Sequence, residues 1–140
     1  MRVVALDIGE KRVGVAVSDP QGRVAVPVSV LETRRVLGDG TDLKRVLSDY
    51  DDVELIVIGL PLTMSGETGP QASRIRAAGE AIEAYSGIPV RYVDERLTSV
   101  EASRRMAEAG ADSRTRRGSV DMVAASILLQ SFLDDTPESR

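Results

Sequence analysis

An α/β domain built on a mixed five-stranded sheet, with helices on both faces, is the fold class this sequence predicts. Three observations predict it. Residues 2–8 (Arg-Val-Val-Ala-Leu-Asp-Ile) and 54–58 (Glu-Leu-Ile-Val-Ile) are near-continuous apolar runs, as in strands buried on both faces. The first run is followed by two further strand patterns separated only by short turns, which makes an antiparallel meander of three strands. Beyond the meander, strand and helix patterns alternate, which calls for parallel strands joined by right-handed crossovers.

The elements follow in order. Gly9-Glu10-Lys11 is a turn, and residues 12–18 (Arg-Val-Gly-Val-Ala-Val-Ser) alternate as a second strand. In Asp19-Pro20-Gln21-Gly22, Pro fixes one φ and Gly permits a positive one, so a turn precedes a third strand over 23–30. From about 38 to 50, Leu43, Val46, Leu47 and Tyr50 are spaced for one helical face. The strand at 54–58 leads into a long loop, Gly59 to Gly69, and Pro70 suits the first turn of a helix reaching Tyr85. Ser86-Gly87-Ile88-Pro89 ends that helix, and 90–94 is a fifth strand. Thr98-Ser99-Val100-Glu101 has capping-box spacing, so a helix runs from there to near Gly110. A polar loop over 110–118 precedes a last helix from Ser119, its expected N-cap, to Leu133. Residues 1–133 are thus expected to form one domain. Residues 134–140, with Asp134, Asp135, Pro137 and Glu138, are expected to be a flexible acidic tail.

Composition narrows the chemistry. The 140 residues include no Cys and no His. Thiol catalysis, disulfides and thiolate metal sites are excluded, and so are the usual neutral-pH general base and the commonest zinc ligand. No stretch approaches a membrane span, and the N-terminus does not resemble a signal peptide, so a cytoplasmic location is expected. A net charge of -4 argues against nucleic-acid binding when taken as a total. Its distribution does not: the acidic end is set apart from a basic cluster at Arg114, Arg116 and Arg117.

Against this background the acids stand out. Asp7 lies near the end of the most buried strand, where a carboxylate needs a partner, hydrogen bonds or a metal; a turn-forming role ahead of Gly9 is the structural alternative. Asp121 near the start of the last helix is stabilised there by the helix dipole alone. It also shares a helical face with Ala125, Leu128 and Phe132, which points it toward the sheet. Asp94 and Glu95 end the fifth strand and point to opposite faces, so only one can join Asp7 and Asp121, and parity does not say which. Carboxylates alone suit a hard cation, Mg²⁺ or Mn²⁺. For substrate contacts, the Gly59–Gly69 loop offers Gly59, Pro61, Gly66 and Gly69 for close approach of a phosphate backbone ahead of a helix start. Lys11, Arg12, Arg96, Arg114, Arg116 and Arg117 supply cationic candidates.

Together these motifs resemble the YqgF (RuvX) family. They are Asp7 within Ala-Leu-Asp-Ile-Gly-Glu-Lys-Arg-Val-Gly-Val-Ala-Val-Ser-Asp19; Gly59-Leu-Pro61 with Gly66 and Gly69; Asp94-Glu95-Arg96-Leu97-Thr98; and Asp121 with Ala124-Ala125 and Ile127-Leu-Leu-Gln130. The resemblance implies an RNase H-like fold, similarity to RuvC-type Holliday junction resolvases, and processing of the 5′ end of precursor 16S rRNA. It places the family's acidic positions, as catalytic residues and metal ligands, on Asp7, Glu95 and Asp121, with Asp94 as the substitute for Glu95. The resolvases carry a catalytic Glu at the end of the fourth strand; this chain has Gly59-Leu-Pro61 there, so Glu95 would replace it. The expected function is a two-metal-ion endonuclease acting on structured RNA in ribosomal precursor particles. Its rivals are a resolvase of branched DNA and a non-catalytic nucleic-acid-binding module. A sugar-kinase-like ATPase needs two lobes, and this chain supplies one.

Overall fold

The apolar run at the N-terminus takes the centre of the sheet. In the computed structural model, residues 1–61, 69–95 and 117–135 are described, the last group without the side chains of 117–121. The elements are β1 (Arg2–Ile8), β2 (Arg12–Ser18), β3 (Ala25–Glu32), α1 (Thr33–Val36), α2 (Thr41–Ser48), β4 (Val53–Leu60), α3 (Pro70–Ser86), β5 (Val90–Asp94) and α4 (Arg117–Asp135). The strands lie in the order β3-β2-β1-β4-β5. The β1–β2 and β2–β3 pairs are antiparallel; β1–β4 and β4–β5 are parallel.

The sheet is buried on both sides because its strands alternate between two cores. Val4 and Leu6 of β1, Val13, Val15 and Val17 of β2, and Ile56 and Ile58 of β4 pack with Leu43 and Leu47 of α2 and Ile75 and Ile82 of α3. Val3, Ala5, Ala16 and Val57 face the other way, onto Ala125, Leu128, Leu129 and Leu133 of α4. Gln130, fully buried, fastens α4 to the start of β3. Its Oε1 accepts from the Ala25 N–H at 3.0 Å, and its Nε2 donates to the Arg23 carbonyl at 3.0 Å.

Several expected bounds change for physical reasons. The third strand starts at Ala25 rather than 23, because the Asp19 carboxylate holds the Arg23 and Val24 N–H groups at 2.7 and 2.9 Å. Gly22, with φ +72, makes the turn that Pro20 prepares. The helix expected from 38 to 50 is the shorter α2, Thr41–Ser48, which starts after Gly40 with φ +71, and the short helix α1 before it lies where no element was expected. Strand β4 runs on to Leu60, opposite Asp94, so Gly59 belongs to the sheet and not to a loop. α4 begins at Arg117, which puts Ser119 inside the helix instead of at its N-cap. The helix also continues through Asp135, two residues into the expected tail. The helix expected over 98–110 and residues 136–140 lie outside the described residues, as does the expected loop 110–118 up to 116, its last two residues being the start of α4. Among the described residues, no helix is long and apolar enough to cross a membrane.

Candidate active site

Strand parity decides which acids share a face. On β1, Val3 and Ala5 face α4, and Asp7 is next in that series. On β4, Val57 faces α4 and Gly59 follows it. On β5, Val93 packs into the α4 core, and Glu95 comes two residues later on the same side. Asp94 falls on the opposite side with Tyr92, whose hydroxyl donates to the Arg76 carbonyl of α3 at 3.1 Å. The ambiguity between Asp94 and Glu95 is therefore resolved by packing: Glu95 joins the face of Asp7, and Asp94 does not.

Register brings the pair together. Leu6 lies opposite Ile58, which makes Gly59 the next neighbour of Asp7 on β4. Gly59 in turn pairs with Val93 of β5, and Gly14 pairs with Asp7 from β2. Asp7 is thus flanked on both sides by glycine. Glu95 is exposed as a residue, while its Oε1 and Cγ lie over Gly59, where Leu128 Cδ2 also approaches. Burial pushes the Glu95 carboxyl up to about 7, helped by repulsion from Asp7, a hydrogen bond with Asp7, and repulsion from Asp94. Below that value the protonated Glu95 carboxyl donates to Asp7.

Two oxygen-rich side chains, held together against mutual repulsion at a partly desolvated point, fit a hard divalent cation, which would remove the repulsion. Among the described residues, no cluster of three or more potential metal-ligating side chains occurs. The third expected acid, Asp121, lies one helical turn before Ala125 in α4, and its side chain is outside the described residues.

The expected substrate contacts divide in the same way. Lys11 and Arg12 are exposed at the β1–β2 turn, at the same end of the sheet as Asp7. Gly69 is the extended residue preceding α3, with Pro70 in the helix's first turn. Pro61 follows β4 and is half-buried. Gly66, Arg96, Arg114 and Arg116 lie outside the described residues, and Arg117 is described only as the start of α4. Gly59 is not the loop glycine it was expected to be, since its α4 face is covered by Glu95. That covering was missed; counting the strand register through Leu60 is the signal that could have found it. A cavity of about 200 Å³, lined by Ile8, Leu37, Arg74 and Ile75 among others, opens on the α3 side and contains none of the candidate acids.

Residues 1–135 match the family described as RuvX, Holliday junction resolvase. A protein of Roseiflexus sp. (strain RS-1), bearing the name "Putative pre-16S rRNA nuclease", is 47% identical over 136 residues, which cover 95% of this chain and 94% of that protein. A protein of the same name from Moorella thermoacetica (strain ATCC 39073 / JCM 9320) is 43% identical over 134 residues, covering 96% of this chain and 95% of its own length. Among solved structures, Thermus thermophilus RuvC in complex with a Holliday junction substrate superposes with a TM-score of 0.59 at 16% identity, covering 91% of this chain and 90% of that one. At that identity the likeness is one of fold, and the fold is RNase H-like.

Proposed function

The chain belongs to the RuvX family, and from that membership and the Asp7–Glu95 contact we propose that it is a metal-dependent endonuclease that hydrolyses phosphodiester bonds in precursor 16S rRNA at the 5′ end. The observation that carries this reading is the meeting of two carboxyl groups, one from β1 and one from just past β5, over a bare point of β4. Two ionised carboxylates in contact cost a fold stability, which supports reading the pair as holding something jointly.

Asp7, Glu95 and Asp121 would hold Mg²⁺ or Mn²⁺, with the carboxylates of Asp7 and Glu95 as the first two ligands. A divalent cation held there would supply Lewis-acid chemistry, lowering the pKa of a bound water and offsetting charge on the phosphate oxygens. The chain's own residues do the positioning. β1 fixes Asp7 at the sheet's centre, α4 closes that face with Leu128 and Ala125, and Glu95 would have to be ionised, its proton passed to solvent, to act as a ligand. Lys11 and Arg12, exposed at the same end, meet the phosphate backbone on its way in. With no Cys or His in the sequence, carboxylates and cations carry the whole of this chemistry. The setting is the cytoplasm, with structured RNA in ribosomal precursor particles as substrate.

Asp7→Asn tests the reading. It should abolish Mn²⁺-dependent cleavage of precursor rRNA while leaving the circular-dichroism melt in place. Unchanged cleavage would leave a nucleic-acid-binding module without catalysis. A second reading, resolution of branched DNA, is favoured by the family's description and by the fold shared with RuvC. Presenting the same preparation with precursor rRNA and with a four-way junction separates the two; cutting of the junction alone would overturn the RNA assignment.

A further inference from the structure

Glycine in the middle of a strand weakens it, because it has no side chain to pack and loses more backbone freedom on folding. Gly59 is such a residue: it lies inside β4 and pairs with Val93. Its backbone gives no reason for the choice, since the glycines with positive φ are Gly22, Gly40 and Gly87 among the described residues. Space gives one. A Cβ at position 59 would lie 2.8 Å from Oε1 and 2.9 Å from Cγ of Glu95, and 3.2 Å from Cδ2 of Leu128.

The sheet shows why that space matters. Adjacent strands are about 4.8 Å apart, so Asp7 on β1 and Glu95 just past β5 spring from backbones roughly 10 Å apart with β4 between them. Their carboxyl groups can meet only if one side chain passes over β4, and only a residue without a side chain leaves β4 bare. We infer that Gly59 is the positioning residue of the acid pair, the bare place across which Glu95 reaches Asp7. The inference rests on the proposed role of that pair. Leu128, 4% exposed, closes the space from the helix side. Glu95 is an exposed residue, so its side chain has solvent to turn into. A side chain at position 59 therefore turns Glu95 away from Asp7 and leaves the strand in place.

The test is Gly59→Ala, with the side-chain carboxyl carbon of Glu95 followed by NMR in metal-free protein. In the native background Asp7→Asn should shift that resonance; in the Gly59→Ala background the same substitution should leave it unmoved. Mn²⁺ affinity by calorimetry should fall about tenfold or more, and that loss should vanish when Gly59→Ala is introduced into Glu95→Ala, as expected when one residue acts through the other. A Glu95 resonance that still responds to Asp7→Asn beside Ala at position 59 overturns the inference. Should the helix contact prevent folding, Gly59→Ala with Leu128→Val, which trims the helix side, carries the same comparison. A lost NMR response with unchanged Mn²⁺ affinity upholds Gly59 as the positioning residue and removes Glu95 from the proposed metal ligands.

Discussion

Removal of the Glu95 charge should stabilise the metal-free protein above neutral pH and do nothing below pH 4.5. The sign follows from the direction of the shift. Burial and the neighbouring Asp7 raise the Glu95 carboxyl from 4.5 to about 7 in the fold. The unfolded chain releases this proton from about pH 4.5 upward, and the folded chain keeps it until about 7. Between those values the folded state binds more protons, so stability falls as pH rises. The contribution is fully present below the unfolded value and gone above the folded one. The full shift would be worth roughly 3 kcal/mol, but Glu95 is accessible to solvent, and screening reduces that to about 1 kcal/mol. For a chain of this size that is a few degrees in Tm, roughly 3 °C. The assay is far-UV circular dichroism, since the sequence has no Trp to report by fluorescence. Melts of the native protein and Glu95→Gln would be recorded in EDTA from pH 4.5 to 8. The variant should melt with the native protein at pH 4.5 and above it by about 3 °C at pH 8. Saturating Mn²⁺ should reverse the order, because the cation binds the ionised native pair. Parallel curves across the whole range would refute the reasoning, since they would mean that Glu95 titrates alike in both states.

Two further outcomes follow from the same geometry. Gln130→Ala strands the buried Ala25 N–H and the Arg23 carbonyl; it should cost about 3 kcal/mol in urea denaturation, and a loss near zero would show that water replaces the amide. Cleavage of precursor rRNA should stop in EDTA and return with Mg²⁺ or Mn²⁺; cleavage that persists through chelation would remove metal from the mechanism.

Legibility in the sequence depended on how much of each signal is local. β1 and β2 have the bounds expected for them, Arg2–Ile8 and Arg12–Ser18, because an apolar run and a strict alternation are properties of the segment itself. α1 is four residues long. It is fastened by tertiary bonds, Thr33 N–H to the Lys11 carbonyl at 2.9 Å and Thr33 Oγ1 to the Gly9 carbonyl at 2.8 Å, and no local pattern announces such bonds. Asp7 was legible because an acid in a buried run is costly wherever the chain goes. Glu95 was not separable from Asp94, because β5 carries apolar residues on both faces: Val90 and Tyr92 pack toward α3, and Val93 toward α4. Without alternation, parity has no reference until the neighbouring strands supply one.

The polar groups of this fold fall into two kinds. Ser18 Oγ accepts from the Val3 N–H at 2.9 Å, Ser126 Oγ donates to the Val123 carbonyl at 2.9 Å, and Thr33 and Gln130 each satisfy backbone groups. These side chains have their own polar atoms satisfied by the backbone, and Ser18 and Gln130 also supply acceptors to buried N–H groups. Asp7 and Glu95 do the opposite, since Asp7 raises the cost of ionising Glu95. The glycine between them adds to the cost by weakening the strand that separates them. Two acids brought together over a strand position without a side chain are hard to explain by folding and are ordinary where function sets the residues. Their agreement also makes the site separable by experiment. Substitutions that relax the conflict, such as Glu95→Gln, should raise stability as they remove activity, whereas substitutions at Gln130 or Ser18 should lower both together.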